Sequence, residues 1–377
     1  MRIPLVMSPG PTEIHEQVRM AMAKDITNPD LDPSFFEFYK ITVNKLKELL
    51  NTEEDVVILN GEGILGLETA CASLIEAGDR VLCIDNGIFG KGFGDFAKLY
   101  GAEVVYFKGD YRKPIDVEKL KAFLKEDNNF KIATLVHCET PAGLTNPVNK
   151  ICPILKEYGI ITVVDSVSAI GGEPLEVDKW QMDVVIGGSQ KCLSAPPGLT
   201  FLSVSKDAWN IIFNRKTPIK SFYCNLALWK NWYEEKYFPY TQPISNIYGL
   251  KCAVDRLLEK GDFIERHKKI ADAVRKAIIN SGLELYPLEG FSNTVTAILV
   301  PEGVAFRDIF NYMLEEHNIL IAGAFDYLED KVIRIGHMGE NCYEEKLYIT
   351  LKALDEALKE YGVKLKGSLH EHFIANI

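Results

Sequence analysis

Lys191 stands in GGSQKCLSAPPG (Gly187–Gly198), between the apolar runs DVVIGG and LTFLSVS. A lysine there is either a solvated loop charge or an amine held by a tight glycine, serine and proline backbone. In the second case partial desolvation lowers its pKa and makes it a nucleophile able to form a Schiff base. Asp165 ends the β-branched run of VVDSVSA, where an aspartate is either a helix N-cap or an anion aimed at a cationic ligand nitrogen. LNGEGILGLETA (Leu59–Ala70) takes a strand through a glycine-bearing turn into an apolar helix. That is either a plain turn or a phosphate seat built from backbone N–H groups at a helix start. Its spacing is neither that of a P-loop nor that of a dinucleotide fingerprint. Phe89, in NGIFG, is ordinary packing or a ring stacked on a planar ligand.

Taken together, an amine nucleophile, an anion for a ring nitrogen, a stacking ring and a helix-start phosphate seat suit pyridoxal 5′-phosphate. Lys191 would hold the aldehyde and then move a proton at the substrate α-carbon. Asp165 would keep the pyridine nitrogen protonated, so that the ring accepts electrons.

Such residues must be positioned by the elements around them. From Asp55 to about Ser205 the runs DVVILN, DRVLCID, AEVVYF, KIATLVHC, GIITVVDS, DVVIGG and LTFLSVS alternate with helical patterns. Unbroken apolar runs mark strands buried on both faces, which predicts an α/β fold with a seven-stranded, mostly parallel sheet. Ligands of such sheets bind beyond the carboxyl ends of the strands, where all four features lie. After Ser205 the chain becomes aromatic and irregular, then helical from about Ile244 with a break near Gly261. NTVTAILV, NILIAG and VIRIG read as strands, and Glu344–Tyr361 as a helix burying Leu347, Leu351, Leu354 and Leu358. This predicts a large domain over 16–258 and a smaller α+β domain over 259–377 that also takes in 1–15. The tail KGSLHEHFIANI carries no clear signal.

Composition narrows the partners. The 377 residues are 47% apolar and carry 42 basic against 53 acidic side chains, a net charge of −11 without basic blocks. That argues against a nucleic-acid or membrane-surface partner and leaves room for a locally positive site. No apolar run reaches the roughly 18 residues of a membrane span. Eight scattered cysteines with no paired or His/Cys metal spacing point to no metal and to a reducing, cytoplasmic setting.

The chain resembles the class V aminotransferases of the fold-type I pyridoxal-phosphate enzymes, in the alanine–glyoxylate/serine–pyruvate group. The likeness runs from SPGPTEI to VIRIGHMG, and is most specific in VVDSVSAIGGEPLEVD, DVVIGGSQKCLSAPPG and RKTPIKSFY. It implies a homodimer with shared active sites. It also implies that Lys191 is the Schiff-base lysine, Asp165 the partner of the ring nitrogen, and Val167 and Phe89 the residues against the ring. Thr140 would bond near the ring hydroxyl. Glu62, Gly63, Ile64 and Gln190 would seat the phosphate, with Thr241 reaching the phosphate of the neighbouring subunit. Arg334 would clamp the substrate carboxylate through its bidentate fork, and Gly10 would lie beside the substrate.

Three positions depart from the family pattern. Glu62 replaces a serine of several relatives, and its carboxylate is expected to turn away, leaving only its backbone N–H. Ile64 replaces a histidine, and Phe238 a phosphate-binding tyrosine. TNPDLDPSFFEFY is expected to line the entrance from the second subunit, and Phe222, Tyr223, Trp229 and Trp232 to form an aromatic entrance. The implied activity is transfer of an amino group from a small L-amino acid, alanine or serine, to glyoxylate or pyruvate, by a ping-pong mechanism. Two alternatives stand beside it: a cysteine desulfurase or β-lyase using the loop residue Cys342, and a non-catalytic binding protein of the same fold.

Overall fold

The computed structural model describes residues 3–377. In chain order the first half contains β1 (Leu5–Val6), α1 (Glu16–Met22), α2 (Pro33–Leu50), β2 (Asp55–Asn60), α3 (Gly63–Leu74), β3 (Arg80–Asp85), α4 (Ile88–Leu99), β4 (Glu103–Lys108), α5 (Val117–Glu126) and β5 (Ile132–Val136). Next come the small pair β6 (Cys138–Glu139) and β7 (Leu144–Thr145), then α6 (Val148–Glu157), β8 (Ile161–Asp165), β9 (Val184–Gly188), β10 (Leu199–Val204) and α7 (Lys206–Phe213).

The seven apolar runs of the sequence form one sheet in the order β2-β10-β9-β8-β5-β3-β4. β10 runs antiparallel to both of its neighbours, and the other pairs are parallel. β2 and β9, each opposed to β10, therefore point the same way as the parallel strands. Side chains of β5, β8, β9 and β10 are buried on both faces, which is why their apolar runs are unbroken.

The remainder comprises α8 (Ile244–Lys260), α9 (Phe263–Asn280), β11 (Val295–Leu299), α10 (Phe306–His317), β12 (Ile319–Leu320), β13 (Val332–Gly336), α11 (Glu344–Glu360) and α12 (Leu369–Ile374). α8 stops at Gly261, whose φ of 69° caps the helix in the left-handed region that glycine tolerates. One hydrophobic core runs from Val18 to Leu257 around the large sheet. A second joins Met7 to residues between Ile270 and Phe373. The silent tail contributes α12, whose Leu369 and Phe373, one helical turn apart, are sealed against the second core.

Two expectations about aromatic residues are corrected. Trp229 and Trp232 are buried, and with Tyr39 and Phe238 they form an aromatic core cluster rather than an entrance; only Phe222 and Tyr223 are exposed. PSFFEFY opens α2, with Asp32 as N-cap and Pro33 in the first turn. Its Phe35, Phe36 and Tyr39 fill this protomer's own core, because an 18-residue helix beside β2 gives them more apolar contact than a surface loop does.

The N-terminal segment ties the second core to the sheet. β1 pairs in parallel with β12, and the Gly336 N–H donates to the Met7 carbonyl at 2.7 Å. A Cβ on Gly336 would sit 2.4 Å from the Ser8 carbonyl oxygen and 2.6 Å from the Pro9 Cα, both of them backbone atoms with little freedom to move. Gly336→Ala is therefore expected to destabilise the fold by about 1–3 kcal/mol, as overpacking does. A urea denaturation curve measures it, and an unchanged midpoint would contradict the contact.

Candidate active site

Because β2, β3, β5, β8 and β9 point the same way, their carboxyl ends deliver residues 60–64, 86–90, 137–140, 165–168 and 188–191 to one edge of the sheet. These loops enclose a cavity of about 150 Å³. A void of about that size is known to hold benzene, so a six-membered aromatic ring fits. Of the twelve residues predicted from sequence, nine line this cavity: Glu62, Gly63, Ile64, Phe89, Thr140, Asp165, Val167, Gln190 and Lys191.

Lys191 and Asp165 are thus brought to a single space. Protein surrounds Lys191 on nearly every side, yet part of its side chain stays open to the cavity. Burial lowers its pKa, the Arg334 charge lowers it further, and Asp165 opposes both. Its Nζ donates to the Pro9 carbonyl at 2.6 Å. Asp165, at the end of β8, is raised to about 6 by burial, against the Val167 N–H that its Oδ1 accepts at 3.0 Å and the charge of Lys191. No helix starts after β8, so Asp165 is not an N-cap; its Oδ1 instead holds the backbone of its own loop, and its side chain lines the cavity.

The other predicted residues lie around this pair. Gly10, at φ 89°, leaves room that a Cβ would take from Lys191, 2.8 Å from Nζ. The next turn locks on through Thr12, whose N–H donates to the Gln190 carbonyl and whose hydroxyl donates to the Lys191 carbonyl at 2.9 Å. Arg334, on β13, is buried; its Nε donates to the Gly323 carbonyl at 2.6 Å and an Nη reaches the Thr140 carbonyl at 3.4 Å. Among the described residues it forms no ion pair, and burial lowers its pKa to about 10. A buried guanidinium without a carboxylate is a seat for an anion. Thr241 is exposed and outside this cavity, its carbonyl accepting from Asn60 Nδ2.

Sequence reasoning missed two residues. Glu139, fully buried, accepts from the Phe89 and Gly90 N–H groups at 2.8 and 3.0 Å and so caps α4, whose Gly87 has no side chain to do it. Burial raises this carboxyl to about 7 despite both bonds. Phe325 packs edge-on against Phe89 at 5.9 Å from the loop that also supplies Gly323. Both contacts join residues far apart in the chain, so no local spacing announces them. The carboxylate inside HCETPAG was the one available signal.

Glu62 does not turn away. It is the N-cap of α3, and its Oε2 accepts the Ile64 N–H at 2.9 Å. A helix start leaves its first N–H groups unpaired, and a carboxylate two residues upstream is the nearest acceptor. The residues present suit the ring of pyridoxal 5′-phosphate, with Lys191, Asp165, Phe89, Val167 and Thr140 around one ring-sized space. They suit its phosphate less well. The positive helix end contributes roughly 0.3–1 kcal/mol, and the exposed Glu62 carboxylate at the same helix start opposes it.

Cys342 does not line the cavity. It is fully buried in the second core and its thiol is pushed up to about 12.

The raised Asp165 value has a consequence for stability. Its proton is held more tightly in the folded chain, so its contribution is full below the ordinary value of about 3.9 and is lost as pH rises through about 6. In protein stripped of cofactor, Asp165→Asn is expected to raise stability at pH 7.5 by up to about 3 kcal/mol. The gain should vanish below about pH 4, as thermal melts across that pH range will show. A gain independent of pH would contradict the assignment.

Residues 13–323 match the family described as Aminotransferase class-V. The chain is 36% identical to an uncharacterised aminotransferase of Methanocaldococcus jannaschii, covering 97% of this chain and 95% of that protein. It is 31% identical to the pyridoxamine–pyruvate transaminase of Mesorhizobium japonicum, covering 96% and 93%. The crystal structure of ureidoglycine–glyoxylate aminotransferase from Bacillus subtilis superposes with a TM-score of 0.95 at 29% identity, covering 100% of this chain and 98% of that one. The chain belongs to the class V aminotransferases, with the fold-type I architecture and the pyridoxal 5′-phosphate cofactor of that family.

Proposed function

We propose that this aminotransferase moves the amino group of a small L-amino acid, alanine or serine, to glyoxylate or pyruvate by a ping-pong mechanism. The observation that carries the reading is one cavity holding Lys191 and Asp165, next to a buried Arg334 that has no carboxylate of its own. Glyoxylate and pyruvate are the acceptors named for two of the similar proteins. We take 16–258 as the large domain and 259–377 with 1–15 as the small one. A cytoplasmic homodimer fits eight cysteines that are all free, seven of them buried.

When bound, the cofactor supplies an electron sink for the charge left at the substrate α-carbon. Arg334 binds the substrate carboxylate, with Nε already committed to Gly323, and so directs the α-carbon toward Lys191. Lys191, its pKa lowered by burial and by Arg334, gives up its own proton more readily and is placed to take and return the α-proton. Asp165 is ionised above about pH 6 and offers the carboxylate that holds a proton on a ring nitrogen. Phe89, fixed by the Glu139 cap, covers the ring space. The desulfurase alternative requires a mobile thiolate, whereas Cys342 is sealed and held protonated.

Two measurements test this. The purified enzyme is expected to absorb in the visible, to bleach with its amino donor and to recover with its 2-oxo acid. Lys191→Ala should abolish both the band and turnover. An enzyme that gains no colour with added cofactor would sink the proposal. Arg334→Lys keeps the charge but loses the bidentate fork, and should raise KM for the amino acid about 10- to 100-fold, the range of one strong charge-assisted bond. An unchanged KM would remove Arg334 from the carboxylate site.

A further inference from the structure

We propose that Glu62 is a selectivity residue at the helix end of the cofactor slot. By holding the Ile64 N–H against a phosphate, it lets the slot accept the phosphate-free vitamin, with its 5′-hydroxymethyl group, at little disadvantage. The proposal rests on the transaminase reading for one thing only, the placement of the ring between Asp165 and Lys191.

Three observations converge. One of the N–H groups open to a phosphate, that of Ile64, is taken, because the Glu62 carboxylate that accepts it is the N-cap of α3 and itself lines the cavity. Among the residues lining the cavity Lys191 is the sole cation, while Glu62 and Asp165 are both acids. Beside Glu62 the wall that this chain supplies is apolar, with Ile64 and Leu67. Lastly, the Gln190 Oε1 is buried and has no hydrogen-bond partner. Turned toward the slot, that acceptor pairs with an O–H donor, which a hydroxymethyl group has and a fully ionised phosphate lacks. Phe238 offers no relief: it carries no hydroxyl and is stacked on Phe36 at 4.6 Å within the core. The slot therefore sets a carboxylate and an occupied Ile64 N–H at a helix start, where a phosphate site ordinarily presents free donors.

The test compares pyridoxamine with pyridoxamine 5′-phosphate, a pair that differs only at the 5′ oxygen and cannot condense with Lys191. Their dissociation constants are measured by tryptophan fluorescence on the full chain after dialysis to remove bound cofactor. Wild type is set against Glu62→Ser, which keeps a capping side chain, and Glu62→Gln, which keeps size and acceptor but loses the charge. The expected result is that Glu62→Ser shifts the ratio of the two constants toward the phosphate ester by about tenfold or more, mainly by tightening the ester. Glu62→Gln should follow with an unchanged melting temperature, which excludes a folding defect. A smaller shift in Glu62→Ser overturns the proposal, while bleaching by the amino donor would still support the transaminase. If wild type binds neither compound and never colours, both readings fall together.

Discussion

A lysine amine serves as a base near neutral pH only where water is kept from it and no strong ion pair holds its proton. Everything around Lys191 follows from that constraint. The lysine lies on the turn after β9, but much of its cover comes from elsewhere: the Pro9 carbonyl and Gly10 from the N-terminal segment, and the Arg334 charge from β13. Segment 5–12 is the common part. It pairs with β12, accepts from Gly336, and then lays Pro9, Gly10 and Thr12 on the Lys191 turn. One short stretch therefore couples the second core to the Lys191 turn.

Several groups in this region are arranged for a ligand rather than for the fold. Arg334 is buried without an anion, Asp165 is buried with a single backbone donor, and Gln190 Oε1 has no partner. Each opposes folding on its own. The two apolar cores offset them: a fully buried Leu or Phe contributes about 1.5–3 kcal/mol, and dozens of such side chains stand behind the cavity. Stability is concentrated in the sheet and in α9, α11 and α12, which frees the strand ends for chemistry.

The same division governs what could be read from sequence. All seven sheet strands were legible: the inner ones, buried on both faces, must be apolar throughout, and the edge strand β4 is apolar between its charged ends although only partly buried. Lys191 and Asp165 were legible because polar residues interrupt such runs only where the chain leaves the sheet. Tertiary contacts left no such mark. Glu139 caps α4 across some fifty residues of sequence, and Trp229 and Trp232 sit in an irregular segment whose burial no periodicity reveals. The α12 helix is six residues long, too short for its Leu369 and Phe373 to set a pattern. Glu62 is different. Its position before a helix start is the local geometry that suggested an N-cap for Asp165, and the same reasoning applied after β2 assigns its carboxylate to the backbone.

Substrate grip and the cover of the cavity are also mechanically linked. Arg334 is oriented by the Gly323 carbonyl, and two residues further on Phe325 meets Phe89 edge-on. Phe89 in turn is held by Glu139, adjacent to Thr140, whose carbonyl receives the other arm of Arg334. These contacts close a ring from guanidinium to loop to aromatic pair to capping carboxylate and back. An anion at the remaining donors of Arg334 would bear on both ends of that ring at once. The position of Phe325 over Phe89 is therefore tied to the guanidinium through the Gly323 loop.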